Sequence, residues 1–305
     1  MIEKSTIFED KIKSSLEKHR KILTEILKVS DKFGVRTYLV GGFIRDVVLE
    51  IETADIDLVV EGDTYELSQE LRRILRGKNY KYIENFGTAS FDIEFYGKVY
   101  RIDFARARRE EYPIPGEHPK VSFVDDVRVD LLRRDFSINA IAIEFDQNLN
   151  FKFIDVVGGL DDLMAKKIKI LHKMSIADDP TRILRGVRIS LKTGFEIDQG
   201  VIESLEIAKK IGAFKNVHGS RFFSEMKITA KEDFFDKFIE KLKELNVLIS
   251  IHPALDINVY NFSGDWQDKI AELILRVSPE SRYEIASFFG VPKSISKRLE
   301  KLSRV

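Results

Sequence analysis

The spacing of apolar and polar positions changes along the chain, and this change predicts where helices give way to strands. Residues 8–33 repeat apolar side chains at helical intervals among lysines and glutamates, which predicts one amphipathic helix that ends at Gly34. The apolar run that ends in Gly41 and Gly42 predicts a buried strand, and a helix over residues 43–49 follows it. We therefore expect a sheet covered by helices in this part of the chain.

Further along, short segments with a period of two alternate with helical ones. Residues 55–60 predict a second strand and residues 64–76 a helix. Residues 91–105 alternate apolar and polar side chains on both sides of a turn at Gly97, which predicts a hairpin. After Gly194 the pattern predicts helices only. The chain thus changes from mixed strands and helices to helices alone.

Composition narrows the class of protein. A chain of 305 residues, 44% hydrophobic and 33% charged, is typical of a globular protein with two or three modules. The absence of cysteine excludes disulfides, thiolate metal sites and cysteine nucleophiles, and it fits a reducing compartment. Because 50 basic residues balance 50 acidic ones, nucleic-acid binding would need a local basic surface. No stretch resembles a membrane span or a signal peptide, so we expect a cytoplasmic protein that binds no membrane.

The turn at Gly41 and Gly42 is the first candidate for chemistry. Paired glycines let backbone N–H groups approach an anion, and a helix N-terminus adds favourable partial charge. Asp55 and Asp57 follow two residues apart on a predicted strand, so their side chains share one face and can share divalent cations. Each feature alone is more often a plain turn or a pair of solvated carboxylates. Their order and close spacing favour metal-assisted phosphoryl or nucleotidyl transfer.

Other polar residues extend this hypothesis. Asp103 lies inside a predicted strand, where a carboxylate is poorly placed unless it binds something or faces water at an edge. Arg134 beside Asp135 can offer donors to a phosphate and an acceptor to a sugar hydroxyl, although such a pair is also typical of a helix start. Residues 106–121 carry three prolines and a glycine among charged side chains, which excludes a helix or a central strand and is typical of a lid.

A helix with a cationic stripe follows the mixed region. An aspartate cap at Asp179, Pro180 and arginines three residues apart, beginning at Arg182, predict it. A plain capped surface helix would explain the cap and the proline, but it would not explain the regular arginines. Asp179 and Arg182 together present an acceptor and a fork of donors, which is enough to meet the pairing edge of a cytosine or an adenine.

Four ordered motifs then carry a family resemblance. They are Leu-Val-Gly-Gly-Phe-Ile-Arg-Asp46 with Asp55-Ile-Asp57, Arg-Arg-Asp135-Phe-Ser-Ile-Asn-Ala, Phe-Ile-Asp155-Val-Val-Gly-Gly, and Asp-Asp179-Pro-Thr-Arg182. Over residues 35–255 the chain resembles the class II tRNA nucleotidyltransferase and bacterial poly(A) polymerase family. Asp178 stands where that family usually has glutamate, and the chain is short for the family.

The resemblance implies an α+β fold of three regions. Residues 1–165 would form a polymerase-beta-like nucleotidyltransferase head, with a small mixed, mostly antiparallel sheet and helices. Residues 166–230 would form a helical neck that recognises the nucleotide base, and residues 231–305 a helical body that binds RNA. The third motif would have a structural role, as a strand that leads through a glycine turn to a helix.

The resemblance also implies the reaction and its residues. The 3′-hydroxyl of tRNA would attack the α-phosphate of ATP or CTP and release pyrophosphate, with Mg2+ on Asp55 and Asp57 and with Asp103 as a third catalytic acid. Asp135 would bind the ribose, Arg185 would face the triphosphate, and the base-reading role would belong to Asp179 with Arg182. The residues predicted to bind the nucleotide are Gly41, Gly42, Arg45, Arg134, Asp135, Asn139, Asp179, Arg182, Arg185 and Arg188, and those predicted in the flexible loop are Arg108 and Arg109.

Several activities remain open at this point. The sequence of residues 112–121, Tyr-Pro-Ile-Pro-Gly-Glu-His-Pro-Lys-Val, looks most like that of enzymes that add only the terminal A of tRNA. It favours that activity over full CCA addition. A poly(A) polymerase is disfavoured because those enzymes tend to carry basic extensions. A non-catalytic RNA-binding module would not need the acidic residues together. We expect the tRNA 3′ end and ATP as partners, with CTP for a CCA-adding enzyme, and no obligatory protein partner is evident.

Overall fold

The computed structural model describes residues 2–258 and 261–302. The first half holds most of the strands, and the second half is mainly helical. The strands are β1 (Arg36–Val40), β2 (Asp55–Glu61), β3 (Lys78–Ile83), β4 (Thr88–Phe95), β5 (Lys98–Arg106), β6 (Arg108–Glu111), β7 (Lys120–Phe123), β8 (Ile141–Phe145), β9 (Phe151–Asp155), β10 (Lys167–Ile168) and β11 (Glu196–Ile197).

The helices alternate with these strands at first and then follow one another. They are α1 (Ile2–Lys18), α2 (Arg20–Phe33), α3 (Gly42–Val48), α4 (Tyr65–Leu75), α5 (Val127–Leu131), α6 (Gly159–Ala165), α7 (Ser175–Asp178), α8 (Thr181–Thr193), α9 (Gln199–Lys210), α10 (Gly219–Thr229), α11 (Phe235–Glu244), α12 (Val247–Ile251), α13 (Trp266–Leu275), α14 (Arg282–Phe289) and α15 (Lys293–Leu302). Among the described residues, we find no helix that combines the length and the apolar character needed to cross a membrane.

Seven strands form one sheet in the order β3-β4-β5-β2-β1-β8-β9. The pair β2 and β5 is parallel, and the other neighbours in this sheet are antiparallel. The hairpin predicted at Gly97 is confirmed, because β4 and β5 pair across a turn in which Tyr96 and Gly97 both have positive φ. The predicted α+β fold with a mixed, mostly antiparallel sheet is therefore confirmed.

The chain divides into two compact units. The first comprises the residues up to Glu111 together with Pro119–Ala165, and it contains the seven-stranded sheet. The second comprises Tyr112–His118 and the residues from Lys166 onward, and it is mainly helical. One short exception corrects the prediction of helices alone after Gly194, because Glu196–Ile197 pairs in parallel with Lys167–Ile168. The functions that we assign to the three predicted regions remain predictions.

The first unit buries an apolar cluster against the sheet. Tyr38, Val40 and Val59 face this cluster from the two adjacent strands β1 and β2, and Ala142 continues it from β8. Alternate strand residues point to the same face, so the apolar positions of three neighbouring strands meet there. The same alternation leaves Asp57, two positions before Val59, beside the glycine turn that follows β1.

The predicted N-terminal helix over residues 8–33 is wrong in one respect, because the chain breaks at His19. The buried imidazole bonds through Nδ1 to the carbonyl oxygen of Ser15 at 2.8 Å, so Nδ1 must carry the proton. Its ring meets Phe43 and Tyr100 edge-on. The apolar stripe continues across the break, which is why the periodicity alone predicts a single helix.

Residues 106–121 are not a loop along their whole length, which corrects the placement of Arg108 and Arg109 in a flexible loop. Both arginines lie in β6, which pairs antiparallel with β7. The four charged side chains of β6 are alternately half-buried and exposed. The two half-buried ones, Arg108 and Glu110, form an ion pair. The prolines and Gly116 lie outside these strands, as their backbone chemistry requires.

The third motif has the predicted form of a strand, a glycine turn and a helix. Asp155 ends β9, and α6 begins at Gly159. The carboxylate of Asp155 accepts hydrogen bonds of 2.9 to 3.1 Å from four successive backbone amides, those of Val157, Gly158, Gly159 and Leu160. The predicted strand, glycine turn and helix are thus confirmed, and Asp155 satisfies backbone amides of the turn and of the helix start.

Candidate active site

The turn after β1 brings the main chain close to two charged side chains. Gly41 has φ of 70° and ψ of −139°, a conformation that strains residues with a side chain. A Cβ atom at this position would lie 3.1 Å from Nη1 of Arg134 and 3.4 Å from Oδ2 of Asp57. The absence of a side chain at Gly41 therefore leaves an open cradle beside a carboxylate and a guanidinium.

The acidic residues come together through the parallel pairing of β2 and β5. Asp57 stands opposite Asp103 in the register, and Asp55 begins β2 with an exposed side chain. Loss of solvent raises the pKa of Asp57 to about 6, and repulsion from Asp103 and Asp55 adds to this effect, against the opposing charge of Arg134. The carboxylates thus crowd negative charge on one face of the sheet.

The closely spaced carboxylates of Asp55 and Asp57 are suited to bind a divalent cation. Two carboxylates of one strand face offer the oxygen ligands that Mg2+ accepts, and a bound cation would relieve the repulsion that raises the pKa of Asp57. Asp103 instead forms an ion pair with Arg101 at 3.0 Å. In the described part of the chain, no group of three or more histidines, aspartates or glutamates is arranged to hold a metal ion. The role of Asp103 as a third acid stays a prediction.

Arg134 is held beside this acidic pair by a residue that sequence reasoning missed. Asp130 is fully buried and bonds to Arg134 at 3.0 Å and to Arg133 at 2.8 Å. Burial acts to raise the pKa of Asp130, but the two guanidinium groups hold it below its ordinary value. The spacing of three and four residues from Asp130 to the arginines was the available signal. Because Asp130 fixes the guanidinium, Arg134 presents its charge at the cradle of Gly41.

The predicted ribose motif follows α5 and ends in a short 3₁₀ turn over Ser137–Asn139. Asp135 and Asn139 are buried, and Nδ2 of Asn139 donates to Oδ1 of Asp135 at 3.0 Å. Oδ1 of Asn139 accepts from Nη1 of Arg45 at 2.6 Å. The structure thus brings Arg45, Asn139 and Asp135 together in one hydrogen-bonded chain, which the sequence could not show.

The second unit contains Asp179 and Arg182. Oδ1 of Asp179 accepts from the backbone N–H and hydroxyl of Thr181, and it forms an ion pair of 2.8 Å with Arg221. Arg182 is buried, donates to Ser175 at 2.7 Å and lies with its guanidinium 5.9 Å from the ring centre of Tyr112. The contributions of Arg221 and Tyr112 escaped sequence analysis.

Three further arginines of the prediction are also paired with carboxylates. Arg185 and Arg188 both bond to Glu225, at 3.2 and 3.3 Å. Arg108 lies against Glu110 at 2.8 Å, and Arg109 next to it is exposed. The predicted nucleotide contacts of Arg185 and Arg188 stay predictions. Their ion pairs show that each side chain is already held in place by a carboxylate within the second unit.

Comparison with known proteins gives the family. The family model described as the poly A polymerase head domain matches residues 37–169. An A-adding tRNA nucleotidyltransferase of Aquifex aeolicus is 40% identical over 217 residues, which cover 71% of this chain and 26% of that protein. An A-adding tRNA nucleotidyltransferase of Halalkalibacterium halodurans is 35% identical over 234 residues, which cover 75% of this chain and 53% of the relative. The chain thus spans between a quarter and about half of these relatives.

Solved structures agree with the sequence matches. A CCA-adding enzyme in complex with ATP superposes with a TM-score of 0.74 at 27% identity, covering 98% of this chain and 72% of the other. A tRNA nucleotidyltransferase with a primer tRNA and an incoming ATP analogue gives a TM-score of 0.71 at 27% identity, covering 91% and 83%. Together with the cradle at Gly41 and the paired acids, these matches confirm the resemblance, and the chain belongs to the family of tRNA nucleotidyltransferases and bacterial poly(A) polymerases.

Proposed function

We propose that this protein transfers AMP from ATP to the 3′ end of a tRNA. The observation that carries the proposal is that Arg134 and Asp57 meet at Gly41, where a Cβ atom would lie 3.1 Å from Nη1 of Arg134 and 3.4 Å from Oδ2 of Asp57. The 3′-hydroxyl oxygen forms a bond to the α-phosphorus of ATP, the bond from that phosphorus to the bridging oxygen breaks, and pyrophosphate leaves. The hydroxyl gives its proton to the surrounding water in the same step.

Asp55 and Asp57 would hold Mg2+ in this reaction. When bound, the ion supplies positive charge that acidifies the attacking hydroxyl and stabilises the leaving pyrophosphate. Arg134 adds a fixed positive charge, because its ion pair with Asp130 orients the guanidinium before the substrate arrives. Gly41 carries no side chain beside these charges, so its backbone could approach a phosphate closely. The residues of the chain thus bind and orient the triphosphate.

Two further groups would select the nucleotide. Asp135 would accept a hydrogen bond from a ribose hydroxyl, which a deoxyribose lacks at its 2′ position. Asp179 would accept from the exocyclic amino group of the base, and Arg182 would donate to the acceptors beside it. An acceptor and a donor fork held by protein atoms replace a nucleic-acid template. This role needs an ionised Asp179, and its ion pair with Arg221 favours that form.

Addition of A alone is favoured over addition of CCA. Three relatives named A-adding tRNA nucleotidyltransferases are 33% to 40% identical to this chain. A CC-adding relative is 34% identical, two multifunctional CCA proteins are 32% identical, and two CCA-adding enzymes are 29% and 30% identical. The sequence of residues 112–121, Tyr-Pro-Ile-Pro-Gly-Glu-His-Pro-Lys-Val, also favours A addition. CTP is the second substrate if the enzyme adds CCA. We place the protein in the cytoplasm with tRNA as its partner, and we assign RNA binding to residues 231–305.

The experiment uses three transcripts of one tRNA that end in the discriminator base, in C or in CC. We expect incorporation of AMP from ATP only at the CC end, and only with added Mg2+ or a related divalent ion. Asp55→Ala serves as the inactive control. Addition of C to the first two transcripts together with addition of A to the third would instead establish CCA addition. Repeated addition of A to unrelated RNA would establish a poly(A) polymerase, and binding of tRNA without incorporation would refute catalysis.

A further inference from the structure

Arg45 lies inside the first unit. Its side chain is only 8% exposed, and it forms an ion pair with Asp46 through Nη2 at 2.7 Å, while Nε donates to the same oxygen at 2.8 Å. The remaining terminal nitrogen, Nη1, donates to Asn139 at 2.6 Å. Gly42 makes this arrangement possible, because a Cβ there would lie 3.3 Å from Nη2. Each of the three guanidinium nitrogens thus has a protein acceptor.

The contact with Arg45 determines how the amide of Asn139 is oriented. A guanidinium can only donate, so the amide must direct its oxygen toward Arg45 and its nitrogen toward Asp135. The nitrogen then donates to Oδ1 of Asp135 at 3.0 Å, and the backbone N–H of Phe136 donates to the same oxygen at 2.8 Å. Since Asp135 accepts from both groups, the rotation of its carboxylate is restricted.

We propose that Arg45 is a positioning residue which, through Asn139, fixes the carboxylate of Asp135 and thereby sets the preference for ribose over deoxyribose. This inference deepens the proposed function, because it rests on Asp135 as the acceptor of a ribose hydroxyl. It also revises the sequence-based prediction that Arg45 contacts the nucleotide. This relay of hydrogen bonds, from Arg45 through Asn139 to Asp135, joins residues that are 94 positions apart in the chain.

A fixed carboxylate discriminates between sugars better than a rotating one. Discrimination requires that the acceptor already stands where the 2′-hydroxyl arrives, because reorientation costs free energy that the hydrogen bond would otherwise contribute. The amide of Asn139 suits this position, since it offers an acceptor to Arg45 and a donor to Asp135 at once. The buried charge of Asp46 in turn balances that of Arg45.

The test variant is Arg45→Lys, which keeps the positive charge for Asp46 but cannot bond to Asp46 and Asn139 with the same fork. We measure the equilibrium dissociation constants of ATP and dATP without tRNA, and kcat/KM for both nucleotides with tRNA. We expect the preference for ATP over dATP to fall about tenfold, with dATP itself little affected. Asp135→Ala should cause the same fall, and the double variant should show no further one.

Ser137→Ala is the matched control. Ser137 lies in the same 3₁₀ turn and donates a buried hydrogen bond of 2.6 Å to Asp162, but it is not part of the relay. Its removal should destabilise the turn and leave the sugar preference unchanged. If Arg45→Lys does not fold, Asn139→Asp carries the test, because it keeps the acceptor for Arg45 and replaces the donor to Asp135 by a repelling charge.

The outcomes separate this inference from the proposed function. Equal weakening of ATP and dATP in Arg45→Lys would mean that Arg45 contacts a phosphate, and it would overturn the relay. A preference that falls in Asp135→Ala but not in Arg45→Lys or Asn139→Asp would also overturn it, with the role of Asp135 intact. An unchanged preference in Asp135→Ala would refute both the relay and the proposed role of Asp135 as acceptor of the ribose hydroxyl. The binding measurement needs no tRNA, so failure of tRNA addition alone leaves the relay measurable.

Discussion

The guanidinium of Arg221 lies 2.8 Å from the carboxylate of Asp179, and its other terminal nitrogen donates to the carbonyl oxygen of Gly116 at 3.1 Å. Burial acts to raise the pKa of Asp179, but Arg221 and the neighbouring arginines hold it below its ordinary value. Arg221 therefore keeps Asp179 ionised and joins it to the segment Tyr112–His118, which belongs to the same unit.

We predict that Arg221→Gln weakens the selection of the base. The variant keeps hydrogen-bond donors but loses the charge that orients Asp179, so the preference for ATP over CTP should fall about tenfold. Single-nucleotide incorporation on a tRNA ending in CC measures it. Asn216→Ala is the control, because it removes the bond of Asn216 to the carbonyl oxygen of Pro115 without touching Asp179. An equal loss of selectivity in both variants would assign the effect to the segment alone.

A second prediction concerns the carboxylates opposite each other on β2 and β5. Asp57→Asn removes one charge from a crowded face, so the metal-free variant should melt at a higher temperature than the metal-free wild type. The same change should abolish incorporation, since it dismantles the cation site. Added Mg2+ should raise the melting temperature of the wild type but not that of the variant. Equal stabilisation of both proteins by Mg2+ would place the ion elsewhere.

The sequence predicted those features in which neighbouring residues determine the structure. The strand, glycine turn and helix around Gly41 are local, and so is the alternation that puts Asp55 and Asp57 on one face. The hairpin at Gly97 followed from a turn residue between two alternating segments. In each case the side-chain period and the turn chemistry point to the same answer, so no distant contact is needed.

The parts that sequence analysis missed depend on distant partners. Arg45 faces Asn139 rather than solvent only because β1 and β8 are neighbours in the sheet, which no local pattern encodes. Arg221 meets Asp179 across 42 positions in the chain, given by their numbers in the sequence. Likewise, the break at His19 follows from packing against Phe43 and Tyr100. Arginines and histidines have several possible partners, and the tertiary fold selects one of them.

A third prediction uses this buried histidine. Burial lowers the pKa of His19 in the folded state, and the nearby charge of Lys18 acts in the same direction, although the bond to the carbonyl of Ser15 opposes them. As the pH falls below the ordinary pKa of 6.5, the unfolded chain binds a proton before the folded one does. The stability that neutral, buried His19 contributes is therefore complete above this pH, and it is lost as the pH falls toward the pKa of His19 in the folded state.

We expect His19→Phe to reduce the fall in melting temperature between pH 7.5 and pH 5.5, values chosen to bracket the ordinary histidine pKa of about 6.5. Phenylalanine keeps an aromatic ring beside Phe43 and Tyr100 and removes the titrating group. His118→Gln, which removes an exposed histidine, is the control and should leave the fall unchanged. If His19→Phe and the wild type lose the same stability on acidification, the acid sensitivity arises at other groups.

The last prediction tests the base-reading pair. Arg182 is 4% exposed, donates to Ser175 at 2.7 Å and lies beside the ring of Tyr112, so its guanidinium is held in one orientation. A donor fork held in this way can reject bases that lack the matching acceptors. Arg182→Ala should therefore lower the discrimination among ATP, CTP, UTP and GTP on the order of a hundredfold, the usual effect of losing a buried hydrogen-bonding pair.

Two variants separate base reading from support of the fold. Ser175→Ala removes the acceptor of Arg182 but leaves its guanidinium, so it should lower discrimination less than Arg182→Ala does. Arg185→Ala should slow all four nucleotides alike if Arg185 contacts the triphosphate, because that group is common to them. Single-nucleotide incorporation on a tRNA ending in CC gives each ratio, and a melting curve confirms that each variant is folded. If Arg182→Ala keeps full discrimination and is merely slower, then Arg182 contacts the phosphates of the RNA or of the nucleotide, and the base is selected by other residues.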